Sequence, residues 1–149
     1  MAEGDIVAYN DMKEQLFKKV HDLVNDTVKV TLHTGYTPNI DTHQVWADVS
    51  STEYATASGY TAGGKTLANK SVTQDNTNDR ALWDADDVTW TSLGALSPAT
   101  PSHGIIWNDT PTSPADPLLD YIVLGTTATN GGNYTLQWST SPSAINSIT

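Results

Sequence analysis

The stretch KKVHDLVNDTVKVTLH, residues 18–33, changes its hydrophobic period partway along, and that change decides the fold. Up to Asp26 the apolar residues keep helical spacing. Met12, Leu16, Val20, Leu23 and Val24 fall on one stripe with Phe17 beside it, while Lys13, Lys18 and Lys19 line the other side. Past Asp26, Val28, Val30 and Leu32 alternate with Lys29, Thr31 and His33, the period of a strand with one buried face. The pattern predicts a helix over 10–26, capped by Asn10 or Asp11, with Asp11 and Glu14 placed as a capping box. Its apolar stripe reads as core packing, with a contact to a neighbouring subunit as the second use.

Downstream of this switch the chain is rich in turns and short β signals. SVTQD and RALW flank NTND as a hairpin, and DDVTW points Val88 and Trp90 inward. HGIIWND, PLLDYIVLG and NYTLQW are further strands, and TNGGN between the last two predicts a tight hairpin turn. HQVWADVSSTEYAT fits either a short amphipathic helix or a bent strand. LSPATPSHG and NDTPTSPADP read as loops, since proline cannot donate a ladder hydrogen bond. The polar tail STSPSAINSIT is expected to be loose or docked only in an assembly. The fold class is therefore mainly β: an N-terminal arm and amphipathic helix over 1–27, then an antiparallel β-sandwich or barrel-like domain with long loops over 28–149.

Composition narrows the function. A chain of 149 residues with 16% charged residues makes one ordinary domain rather than a coiled coil or a disordered polyelectrolyte. It has no cysteine, which removes disulfides, thiolate zinc sites and thiol catalysis. A net charge of -10, with every Lys and Arg at or before Arg80, argues against nucleic-acid partners. MAEGDIVAYND has neither the basic flank nor the apolar run of a signal peptide, and no stretch approaches a membrane span. A cytoplasm-like setting is expected.

Four constellations could carry chemistry. Asp84, Asp86 and Asp87 hold a fragment of calcium-loop spacing without the mid-loop glycine or closing glutamate, so they read as the polar corner of a turn anchored by Trp83 and Trp90. His33, Asp41 and His43 are a metal-compatible set with no metallohydrolase spacing. They read as a structural group, with His43 bonded to a loop carbonyl. Gly59–Thr66 matches the G-x-x-x-x-G-K-[ST] phosphate loop, but lacks a preceding buried strand and a following helix, so the match reads as chance. No G-x-S-x-G elbow presents a serine nucleophile. The N-x-[ST] triplets at Asn25, Asn69, Asn108 and Asn133 follow from the high threonine content. No catalytic residue, cofactor or metal site is expected. At least three of Trp46, Trp83, Trp90, Trp107 and Trp138 should be core.

The order GYTAGGKTL (59–67), WDADDVTW (83–90), Asp109-Thr110, PLLDYIVLG (117–125) and NGGNYTLQW (130–138) resembles a family of small virion proteins of tailed bacteriophages. The likeness spans about Tyr36 to Trp138, and WDADDVTW is its most specific part. Two motifs depart from it. Pro101-Ser102-His103-Gly104 stands where relatives carry an Ala-Arg pair, and Tyr121-Ile122-Val123-Leu124-Gly125 stands where they carry Y-I-D-F-G. Any role of that arginine and aspartate is not carried over. The resemblance implies a non-enzymatic component of the virion. The leading expectation is a capsid decoration or cement protein on the shell surface, assembled in the host cytoplasm, that binds the major capsid protein as a homo-oligomer, with a trimer favoured. The other is a tail, baseplate or head-fibre module that binds a receptor or glycan through exposed aromatics.

Overall fold

The computed structural model describes residues 4–140 and 143–148. Residues 1–3 of the expected arm and residues 141, 142 and 149 of the expected tail lie outside them. The fold is mainly β with one short helix, and every sheet is antiparallel. The largest sheet is built from Ile6–Ala8 (β1), Val28–His33 (β2), Lys65–Thr66 (β3), His103–Asn108 (β7) and Leu118–Val123 (β8), in the order β1-β8-β7-β2-β3. Ser71–Asp75 (β4) and Arg80–Asp84 (β5) form the expected hairpin, and Asn146–Ile148 (β12) pairs with the far side of β5. Val88–Trp90 (β6) pairs with Tyr134–Leu136 (β9), and Ser139–Thr140 (β10) with Ser143–Ala144 (β11).

The large sheet is covered on both faces, which makes the whole sandwich-like. One face buries Val28, Val30, Leu32, Ile106, Leu119 and Ile122 against the β5–β6 and β9 layer. The other buries Tyr9, Ile105, Trp107, Leu118 and Tyr121 beneath the loop that carries Tyr36 and Val49. Strand β2 therefore differs from the expected one-sided strand: Thr31 and His33 are as inaccessible as Val30 and Leu32. Only Lys29 breaks the pattern, with its ammonium 2.7 Å from Asp109 and 5.2 Å above the Trp107 ring. The ambiguous HQVWADVSSTEYAT segment becomes two single 3-10 turns, Trp46–Asp48 and Ser50–Thr52.

The helix (α1) is half the predicted length, Asn10–Phe17. It stops in a Schellman turn. Lys19 adopts φ +57, its N–H bonds to Leu16 O, and the Val20 N–H reaches back to Gln15 O at 3.0 Å. Beyond it the Asp22 carboxylate accepts from the N–H groups of Val24 and Asn25, and Asp26 accepts from the Asp22 N–H. Short polar side chains thus claim backbone donors that a continuing helix would need. The expected cap is also absent. Tyr9 is the N-cap residue without a side-chain capping bond, Asn10 donates to Asp41, and Asp11 accepts from Gln15. Just before α1, residues 6–8 form the edge strand beside β8, so this part of the expected arm belongs to the main sheet.

Two further expectations fail. TNGGN makes no β8–β9 hairpin, because β9 belongs to the other layer. The loop is held by Leu93, whose N–H donates to Gly132 O and whose carbonyl accepts from Gly131 N–H. The tail is docked within the chain, with Asn146, Ser147 and Ile148 paired against Trp83, Leu82 and Ala81 and with Ile145 buried. Among the described residues no helix is long and apolar enough to cross a membrane.

Candidate functional site

In the aspartate corner Asp84 ends β5, and Asp86 and Asp87 bond neighbouring parts of the chain. The Asp86 carboxylate accepts from Asn69 Nδ2 at 2.7 Å, and its carbonyl accepts from the Trp138 indole at 2.9 Å. Asp87 accepts from the Trp138 backbone N–H, and the Asp86 N–H donates to Ala68 O. Trp83 and Trp90 are both buried on either side, as the turn reading requires. Among the described residues no three His, Cys, Asp or Glu side chains are grouped so as to hold a metal ion.

His33, Asp41 and His43 are not brought together around one point. His33 is wholly buried, with its two ring nitrogens 2.9 Å from the hydroxyls of Thr31 and Thr52. Burial, with His103 nearby, pushes its pKa down to about 3, so the ring is neutral. His43 bonds a tyrosine hydroxyl rather than the expected loop carbonyl: its Nδ1 lies 2.8 Å from Tyr36 OH, which lies 2.6 Å from Tyr9 OH. Asp41 is taken by Asn10.

The Gly59–Thr66 loop is filled by the protein itself. Tyr60 accepts from the Leu32 N–H and donates to Glu53, and Lys65 donates to Thr89 O while lying 5.9 Å from the Trp90 ring centre. Gly64 has φ +68, and a Cβ there would meet Val30 O at 2.0 Å, so the glycine serves close strand contact. The loop runs into β3, not into a helix.

Four tryptophans and all six tyrosines are buried, and Trp46 is half-buried and stacked on Trp107 at 4.7 Å. The row of exposed Trp or Tyr that a glycan platform would need is not formed. Among the described residues the one exposed aromatic ring is Phe17, at 91% exposure.

That ring marks the site the sequence did not single out. Phe17 and three aliphatic residues, Val24 (43% exposed), Val72 (52%) and Ile148 (54%), are the exposed large hydrophobics among the described residues. All four line one cleft. In the β4-β5-β12 sheet the registers Val72↔Trp83 and Asn146↔Trp83 put Val72, Ala81, Trp83 and Ile148 on one face. Trp83 closes that face against the body, its indole donating to Leu23 O at 3.1 Å. The Val72–Ile148 end overhangs. Between it and α1 lies a cleft with two lobes of ≈ 300 and ≈ 500 Å³, which share Met12, Leu16, Asn146 and Ile148. Because cavity walls lose their dispersion partners where no atoms face them, such a half-filled cleft favours being filled.

Beneath it sits Asp120 of β8, inaccessible to solvent. Its Oδ1 accepts from Asn146 Nδ2 at 2.6 Å, and its Oδ2 has no hydrogen-bond partner among the described residues. Burial raises this carboxyl to about 7, partly offset by the Asn146 bond and the Lys13 charge.

No family model, curated protein or solved structure matches this chain.

Proposed function

We propose that this chain is a non-enzymatic structural protein of a tailed-phage particle. It is a capsid decoration or cement protein that binds the major capsid protein on the outer shell and stabilises it, working as a homo-oligomer, in the first instance a trimer. The observation that carries the reading is the gathering of every large exposed hydrophobic of the described residues into one cleft. A protein built to assemble concentrates its exposed apolar area in this way. The resemblance around WDADDVTW supplies the setting, and the tryptophans and tyrosines are buried or half-buried rather than set in a row for stacking on sugars.

Quantitative mass spectrometry of purified particles of the source phage tests this. The expected copy number is comparable with that of the major capsid protein. A count fitting a single ring would move the chain to the neck, tail or fibre, and absence from particles would remove the virion reading.

A further inference from the structure

We propose that the cleft between α1 and the β4-β5-β12 sheet is the self-association surface, and that the Phe17 side chain of one copy fills the cleft of the next. This rests on the assembly reading only in requiring a homo-oligomer.

The occupant follows from what the chain offers. Knob and hole lie side by side: Phe17 ends α1 almost fully exposed, next to an apolar lobe of ≈ 300 Å³ walled by Leu16, Leu23, Val24, Val72 and Ile148. A cavity of about 150 Å³ takes up benzene, so this lobe has room for a phenyl ring. No other large hydrophobic is exposed among the described residues, so a second copy can bury apolar area here only by bringing its own cleft region to this one. A knob entering the next copy's hole is a head-to-tail contact, and because knob and hole lie side by side the copies gather around one axis, as the closed ring of a trimer requires.

Charge supports the same occupant. The chain has seven basic residues at a net charge of -10, and one of them, Lys13, lines the larger lobe beside Phe17, while Asp22 lines the smaller one. Lys18 is paired with Glu14 on the helix surface. The opposite wall ends in the β4–β5 turn, where Asp75 and Asp79 border a hollow that shares Ala81 and Ile148 with the cleft walls. Arg80 engages Asp75 at 2.8 Å, while Asp79 is exposed. Lys13 beside the knob and the exposed Asp79 beyond the opposite wall carry opposite charges that pair when Phe17 of one copy enters the cleft of the next.

The test is sedimentation velocity over a concentration series on the full chain, comparing wild type with Phe17→Asp and Ile148→Asp. Both side chains are exposed, so circular dichroism and the melting temperature should stay near wild type. The expected result is an oligomeric wild type and association at least tenfold weaker in each variant. A wild type that stays monomeric through the series overturns the inference, whatever its virion copy number. If both variants keep the wild-type oligomer, self-association stands but not through this cleft, and the inference falls. If they keep the oligomer and lose only binding to purified shells, the cleft belongs to the capsid partner and the inference also falls. A chain missing from virions that still associates through Phe17 would sink the virion reading and leave this one intact.

Discussion

Replacing Trp83 by alanine should destabilise the fold by about 3–5 kcal/mol, the range for removing a large buried aromatic from a core. The residue joins three parts of the molecule. Its side chain is 4% exposed within the main core, its indole N–H donates to Leu23 O, and its backbone carbonyl accepts from Ile145 N–H at 2.8 Å. Alanine would leave a void between the three-stranded sheet and the 20–26 segment and strand the Leu23 carbonyl. Both docked pieces, that segment and the tail strand β12, should loosen together. Phenylalanine keeps most of the volume and loses the indole bond, so its added cost from that bond is about 1 kcal/mol. Urea unfolding at fixed pH measures both through the shift in midpoint. A near-zero loss in the alanine variant would mean that the WDADDVTW corner is not held by its tryptophans.

The same corner shows why much of the fold was legible in the sequence. Val88 and Trp90 alternate with polar residues, Asn76-Thr77-Asn78-Asp79 carries the side chains of a turn, and each pattern is local. Its outcome depends on neighbours within a few positions. Asp75 accepts from the N–H groups of Thr77 and Asn78, which nucleates the expected hairpin turn. The failures came where a distant partner decided. TNGGN carries the residues of a two-strand turn, but Leu93, from a different part of the chain, takes up its backbone groups. The helical stripe continues to Val24 in the sequence, yet Asp22 and Asp26 draw the backbone into turns, and Asn108 Nδ2 bonds Asp26 at 2.6 Å from across the sheet. Among the tail residues whose burial is described, Ala144 and Ile145 are the buried ones, and the strand is further held by backbone pairing to β5 and by the Asn146–Asp120 bond, which leave no periodic mark in so short a strand. The cleft was illegible for the same reason. Phe17 and Ile148 stand at opposite ends of the chain, and nothing in their local sequence says that they line one hollow.

Asp120→Asn should make the protein more stable at pH 8 and should change how its stability depends on pH. The carboxyl lies unexposed on β8 with one oxygen unpartnered among the described residues, so its charged form loses hydration that a single bond from Asn146 does not replace. Its pKa is about 7 in the folded chain against an ordinary 3.8, which means that the native state binds the extra proton between those values. Stability from this group is therefore full below about pH 4, declines as pH rises, and is lost above about pH 7. At 1.36 kcal/mol per pKa unit the whole effect is at most about 4 kcal/mol. Asparagine keeps the acceptor for Asn146 and cannot ionise, so the difference in unfolding free energy between variant and wild type should grow from pH 4 to pH 7 and then level off. Buried His33 contributes the opposite slope. Its folded pKa of about 3 lies below the ordinary 6.5, so its stability is full above 6.5 and is lost as pH falls toward 3. That term is common to both proteins and cancels in the difference. Urea titrations at pH 4, 5.5, 7 and 8 supply the curve, and parallel profiles for the two proteins would show that Asp120 is ionised and well solvated in the native state.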